Sequence, residues 1–199
     1  MFSPDSKFMQ ILGRITDLIL LNLLFLVTCL PVFTIGASIT ALYTMCFRLM
    51  REEYGGIVRS YFGAFRTNFK SATAVWGILL VIAVPAVYYL TQSAHIYTGI
   101  FFVLILMIAL MIGSYAFPWL SQFENTAIQS LTNALILSVS KLPRTAAILA
   151  INLMPAIVWI INADLFIQIS FLWIALYFAA AAYMNTGLLW HVFKPYRNA

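Results

Sequence analysis

Charge is scarce in this chain. Charged residues make up 9% of it, against about 25% in soluble domains, while 63% of its residues are hydrophobic. So little polar surface cannot clothe a globule in water, which excludes a soluble fold. Carboxylates are scarcer still, six Asp and Glu against eleven Lys and Arg, and almost none falls inside an apolar run. A charge at mid-bilayer costs about 2.5–3.5 kcal/mol on permissive scales, so ionisable residues kept there mark ion- or proton-coupled pathways. Asp17, one turn from Arg14, reads instead as half of a local ion pair, and Asp164 as part of a solvated turn. There are two cysteines, Cys29 and Cys46. In a hairpin turning near Thr34, Cys46 sits roughly 12 Å deeper than Cys29 at about 1.5 Å per residue, beyond the ~7 Å Cα limit of a disulfide. Both read as packing thiols. His95 and His191 lie far apart without Cys or acidic companions, so neither suggests a metal site. Glycine-rich phosphate loops, His-Glu-x-x-His and Gly-x-Ser-x-Gly are missing, and Ser114 has no adjacent base. The sequence therefore points to no catalytic residue, no cofactor and no enzyme.

What the chain has is long apolar runs separated by short basic segments. Spans are expected at about 14–30, 37–51, 72–90, 99–120, 146–161 and 165–190, each near the ~20 residues that cross a hydrocarbon core. Residues 15–50 would make one helix of over ~50 Å, but Pro31 and Gly36 divide them into two short ones. Lys7 and Arg14 precede the first run, Arg48, Arg51, Arg59, Arg66 and Lys70 follow the second, Lys141 and Arg144 precede the fifth, and Lys194 and Arg197 follow the last. The turns near Thr34, from Gln92 to Thr98 and from Asn162 to Asp164 carry no Lys or Arg. Six crossings put every basic segment on the cytoplasmic side, as the positive-inside bias requires. The net charge of +5 is thus a topology signal facing anionic lipid, and not a nucleic-acid surface. The opening segment, with Pro4, Asp5, Lys7 and Arg14, lacks a small-residue cleavage site after a short apolar core, so the first helix is expected to stay in the mature chain. The expected fold is all-α: one integral membrane domain over 1–199, a multi-pass bundle of about six helices with both termini cytoplasmic. The first hairpin remains open between two full crossings and a re-entrant loop.

Two connections are longer than a turn needs. Ile57 to Lys70 places Tyr61, Phe62, Phe65 and Phe69 at helical spacing beside Arg59, Arg66 and Lys70, the pattern of a basic amphipathic helix. Asn125 to Leu142 carries Ile128, Leu131, Leu135, Val139 and Leu142 on one stripe. Both are expected as cytoplasmic amphipathic helices, each followed by basic residues and a span, in the manner of a degenerate internal repeat. Arg48 and Glu52 have the i, i+4 spacing of an ion pair. Asn22, Asn152 and Gln168 are the polar mid-helix candidates, open to interhelical bonding or to a solute path. Ala175, Ala179 and Ala182 fall on the side of Gln168 and form a small-residue seam.

Glu124, followed after an interval by Lys141, Leu142, Pro143 and Arg144, resembles the cytoplasmic loop of ATP-binding-cassette importer permeases, where an EAA sequence precedes a Leu-Pro and the helix between them docks on the ATPase. The chain departs from that pattern in lacking the Asp-Gly that follows EAA. GRITDLILLNLLFLVTCLPVFTIGASITALY from Gly13 to Tyr43, FGAFRTNFK from Phe62 to Lys70, and KLPRT from Lys141 to Thr145 resemble, in order and position, the YesL-like family of bacterial membrane proteins of unknown function. That resemblance implies a bacterial cytoplasmic membrane and a setting beside carbohydrate importers, and supplies no catalytic residue. The reading is an accessory or regulatory component of carbohydrate import, contacting permease, ATPase or lipid bilayer through Arg59, Arg66, Lys70, Glu124, Lys141, Pro143 and Arg144. A stand-alone transporter of a small neutral solute along Asn22, Asn152, Gln168 and the interior tyrosines, and a lipid-facing sensor or scaffold, are the rival readings; the oligomeric state is not legible.

Overall fold

The computed structural model describes the backbone of residues 7–53, 55–92 and 95–197, and side chains from Leu12 to Tyr196 within those ranges. Pro4 and Asp5 lie outside the described residues, and so do the side chains of Lys7 and Arg197. The described chain is all-α. Its elements are α1 (Lys7–Cys29), α2 (Ile35–Met50), α3 (Ile57–Gln92), α4 (Ile96–Leu120), α5 (Ala127–Ser140), α6 (Leu142–Ile161), α7 (Ala163–Gln168), α8 (Ser170–Leu172), a π-helical turn (Trp173–Tyr177) and α9 (Phe178–Arg197). Six helical stretches are long and apolar enough to cross a membrane: Leu12–Cys29, Val32–Met50, Ile57–Gln92, Ile96–Leu120, Leu142–Ile161 and Ser170–Tyr196. Large apolar side chains stand exposed along them, among them Leu23, Val27, Val81, Val84, Ile100, Phe101, Ile160 and Ile161. In water that surface would be untenable; in lipid it is the expected exterior. The protein is membrane-embedded.

The buried helix is α2, enclosed by α1, α3, α4 and α9. Small residues let it in: Gly36, Ala37, Ser38, Thr40 and Ala41 are buried, and its hydroxyls bond back to the carbonyls one turn earlier. The closest approach is at Gly36. A Cβ there would collide with the Ala72 carbonyl oxygen and come within 2.7 Å of Trp76 Cβ, so only glycine admits α3 at this distance. Just before it, Pro31 opens the turn between α1 and α2, and Trp76 Nε1–H donates to the Val32 carbonyl at 2.9 Å. From Trp76, α3 runs 16 residues further to Gln92, about 24 Å at 1.5 Å per residue. α4 returns alongside it, with Gly113 against Leu79 and Phe117 against Trp76. The α3–α4 hairpin therefore projects well past the α1–α2 turn as two apolar helices with lipid-type surfaces.

Three features differ from the sequence reading. The stretch from Ile57 to Lys70 is not a separate amphipathic helix: it is the first part of the 36-residue α3. Nothing interrupts the backbone there, since the first proline in α3 is Pro85, and Tyr61 is fully buried, with its hydroxyl 2.7 Å from Thr28 Oγ1. By contrast α5 does stand apart. Thr126 and Gln129 form a capping box at its start, and Pro143 in the first turn of α6 forces the break at Lys141 (φ −123°, ψ 43°). The two segments thus fold differently, and the apparent repeat does not extend to local structure. Finally, the last span is not one helix: it breaks at Ile169 and passes through the π turn before α9. In the seam expected on that span, Ala179 and Ala182 are buried, whereas Gln168 is exposed on α7.

The basic residues gather at one end of the bundle. Arg14 reaches Glu52 at 3.2 Å and donates to the Tyr183 hydroxyl at 2.7 Å, so Glu52 pairs with Arg14 rather than with Arg48. Glu52 is in the left-handed region (φ 58°), closing α2 as Glu53 N–H bonds to the Arg48 carbonyl and Glu52 N–H to the Leu49 carbonyl. Arg51 donates to Gln122 and lies 5.8 Å from the Trp190 ring centroid. Behind it, Phe47, Trp119, Phe123 and Phe193 interlock, with Trp119 and Phe123 centroids 4.3 Å apart. Cys29 and Cys46 are free thiols.

Candidate functional site

Where the α3–α4 hairpin parts from α6 and α9, above the first half of α2, the helices leave a cavity of about 700 Å³. Phe25, Ile35, Leu79, Leu106, Pro155 and Phe178 give it apolar walls, and Asn152 and Phe178 are exposed at its margin. Its polar groups are Tyr43, Ser114, Asn152, Tyr177 and the Trp76 indole N–H, the last spent on the Val32 carbonyl. Among the described residues no carboxylate, histidine, lysine or arginine lines it, so its wall offers no group that exchanges a proton at neutral pH.

The polar groups form a small network. Asn185, fully buried on α9, donates through Nδ2 to Asn152 Oδ1 at 2.7 Å and to the Tyr43 hydroxyl at 3.3 Å. Tyr177 donates to the Ile151 carbonyl. Ser114 Oγ–H is spent on the Leu110 carbonyl at 2.8 Å. What faces the cavity with protons still to give is the Tyr43 O–H and the Asn152 amide N–H groups. Such a site suits a molecule with an apolar body and one acceptor oxygen. A sugar is a poor fit, because its many hydroxyls would be left against apolar walls without partners. Asn185 Oδ1 is buried without a partner, which keeps this network short of saturation.

The three polar residues singled out from sequence do not come together. Asn152 lines the cavity. Asn22 is fully buried behind it and engaged at both ends: its Nδ2 donates to the Ile174 carbonyl at 2.5 Å and its Oδ1 accepts from Ala179 N–H at 2.9 Å. Residues 174 and 179 are five apart, the spacing of a π rung, so the Asn22 carboxamide takes the rung that follows the π turn. Its position is that of an interhelical bond. Gln168 is exposed on α7, away from both. Asn185 escaped sequence reasoning, and Tyr43 and Tyr177 were not singled out among the interior tyrosines. The step of eight residues from Tyr177 to Asn185 puts both on one broad helical face, but the spacing does not say that this face meets Ile151 and Asn152 of α6 and Tyr43 of α2.

Most of the residues proposed for partner or lipid contact lie toward the basic end; Lys70, two residues before Ala72, stands near the level of Gly36. Arg59, Arg66 and Lys70 are exposed on the first turns of α3. Glu124 is exposed in the turn before α5, Lys141 and Pro143 are exposed just after it, and Arg144 is half-buried beside them. The 14 residues of α5 hold Glu124 and Lys141 roughly 20 Å apart. The large apolar stripe of α5 faces outward: Ile128, Leu135, Ile136 and Val139 are exposed, while Ser130, Ala134, Leu137 and Ser138 face the core. Small residues bring α5 close to α4, and Thr145 Oγ1, 2.7 Å from the Ser138 carbonyl and 3.0 Å from the Tyr115 hydroxyl, ties α4, α5 and α6 together.

Residues 18–89, covering the second half of α1, all of α2 and α3 as far as Tyr89, match a family model described as a protein of unknown function, DUF624. No curated protein and no solved structure matches the chain. The matched region contains the Gly36–Ala72 approach and Asn22, and stops short of α5 and Asn152.

Proposed function

We propose that this protein is an accessory or regulatory membrane component associated with carbohydrate import of the ATP-binding-cassette type, with no catalytic chemistry of its own. In this reading it is a multi-pass protein of a bacterial cytoplasmic membrane, its basic end and both termini are cytoplasmic, and α5 is the element offered to a permease or ATPase. The carrying observation is the construction of α5: a separate, capped helix fixed by its small residues, with an uncovered apolar face and charged groups at each end. Helix-in-groove docking uses such a face. The permease-like interval from Glu124 to Leu142 and Pro143, and the YesL-like resemblance of Gly13 to Tyr43, supply the import context. A photo-cross-linking residue at Ile136, in cells growing on complex glycans, is expected to capture importer subunits above the level seen at the lipid-facing Ile160. Equal capture at both positions would refute the reading.

A second reading, a stand-alone transporter of a small neutral solute, draws support from the cavity with Tyr43 and Asn152 on its wall. Purified protein in liposomes separates the two: solute-specific flux without a partner, lost in Asn152→Leu, favours the transporter.

A further inference from the structure

A second cavity lies at the other end of the α2–α3 contact and differs in chemistry. It is a groove of about 440 Å³ lined by Thr44 and Arg48 of α2 and by Arg59, Ser60, Thr67 and Asn68 among the residues of α3. Its two cations come from different helices and converge on one space. Among the described residues neither has a carboxylate partner: the ion pairs are Arg14 with Glu52 and Arg51 with Glu53. Among the described residues no acidic one lines the groove. Arg48 is half-buried, so its charge is partly withdrawn from water, and none of the described carboxylates pairs with it.

The remaining lining adds donors. Asn68 gives one amide proton to the Ala64 carbonyl at 3.1 Å and keeps the other. The groove also reaches the first turn of α3, where Ser60 N–H bonds to Gly56 and the leading N–H groups have no carbonyl within the helix to receive them. The positive end of a 36-residue helix dipole therefore adds to two guanidinium groups. Guanidinium forks, a helix N-terminus and side-chain donors, with no anion of the protein's own, are the features of a phosphate site.

We propose that the Arg48–Arg59 groove binds a phosphate group carried on a small polar substituent, supplied either by the headgroup of an anionic lipid or by a soluble phosphate ester. Arg66 and Lys70 stand outside the lining, which separates a built site from general attraction to an anionic surface. The groove is distinct from the apolar cavity and from α5; it shares Arg59 with the residues expected to contact a partner or lipid, but its test reads phosphate binding by the isolated protein and so stands or falls apart from the import reading.

The experiment uses the full chain in detergent, with phosphatidic acid, phosphatidylcholine, glycerol phosphate and inorganic phosphate as probes, read by native mass spectrometry for lipids and by calorimetry for soluble ions. Arg48→Gln and Arg59→Gln are each expected to weaken binding about tenfold, the loss of one charge-assisted contact, while Arg66→Gln and Lys70→Gln change it by less than about threefold. Arg59 is exposed, so Arg59→Gln tests the site without disturbing packing. Retention of phosphatidic acid over phosphatidylcholine without affinity for the soluble probes assigns the site to lipid. Arginine-dependent binding of glycerol phosphate or inorganic phosphate assigns it to a soluble ester. Equal losses in all four variants, or no binding of any probe, would overturn the proposal.

Discussion

Gly36 and Asn22 carry more of the structure than their neighbours, for opposite reasons. Gly36 contributes by having no side chain, since any Cβ meets α3 backbone. Gly36→Ala should cost about 1–3 kcal/mol in a denaturant titration of the detergent-solubilised protein, the usual range for overpacking. Gly77→Ala, on the same helix pair where a Cβ meets nothing within 4 Å, should be neutral or stabilising by up to about 1 kcal/mol. Equal effects would contradict the close approach. Asn22 contributes a carboxamide that completes the helix after the π turn. Asn22→Leu keeps the volume but leaves the Ile174 carbonyl and Ala179 N–H unpaired, at about 1–3 kcal/mol, and an unchanged unfolding midpoint would count against that bond. At this scale the sequence was partly legible. Asn22 stood out because an amide in an apolar run needs a partner, but its partner is backbone exposed by a π turn, which no side-chain pattern announces. Gly36 was visible as a divider of the first hairpin, and its real task as a contact point was not. The pairing of Glu52 with Arg14 was hidden for a related reason: α2 ends at Met50, so the i, i+4 geometry from Arg48 no longer applies.

Helix boundaries follow from proline and capping groups, and where those signals were present the elements could be read. Thr126, Gln129 and Pro143 fix α5 as a helix of its own. Its orientation ran against soluble-protein intuition, because Ser130, Ala134 and Ser138 face inward with Leu137 while Ile128, Leu135, Ile136 and Val139 face out. The small residues give a close fit between helices, and most of the large apolar surface is left for lipid or a partner. From Ile57 to Lys70 there was amphipathic periodicity but no stop signal, and periodicity alone does not end a helix. The difference yields a prediction at this scale. Ile136→Ser with Val139→Ser, on the exposed face, should change stability by no more than about 0.5 kcal/mol while lowering cross-linking to importer subunits. Large destabilisation would show that the face is covered within the protein itself, and unchanged cross-linking would remove α5 from the proposed interface.

The molecule as a whole is two parts of unequal reach: the α1–α2 hairpin packed low against α3, and the α3–α4 hairpin standing past it. The turn at Val32 sits about 24 Å short of the end of α3, most of a hydrocarbon core ~30 Å thick. With the α3–α4 hairpin crossing fully, a first hairpin that ends this far short of its tip is expected to be re-entrant. Cysteine at Tyr97 should then react with a membrane-impermeant maleimide applied from outside, and cysteine at Val32 should not; equal reaction would mean two full crossings. The membrane setting and the gathering of cations at one end were readable from composition and charge order, because both are sums over many residues. The cavity and the Arg48–Arg59 groove were not, because each depends on side chains that converge from separate helices.

Lipid surrounds this bundle, and its basic end is expected to lie in one aqueous compartment. Single cysteines at Arg66, Lys141 and Tyr97, in a background with Cys29 and Cys46 replaced, test this directly through impermeant thiol labelling of intact cells and of inverted vesicles. The account predicts labelling of the Arg66 and Lys141 positions only in inverted vesicles and of the Tyr97 position only in intact cells. Labelling of positions 66 and 141 from opposite sides would contradict it.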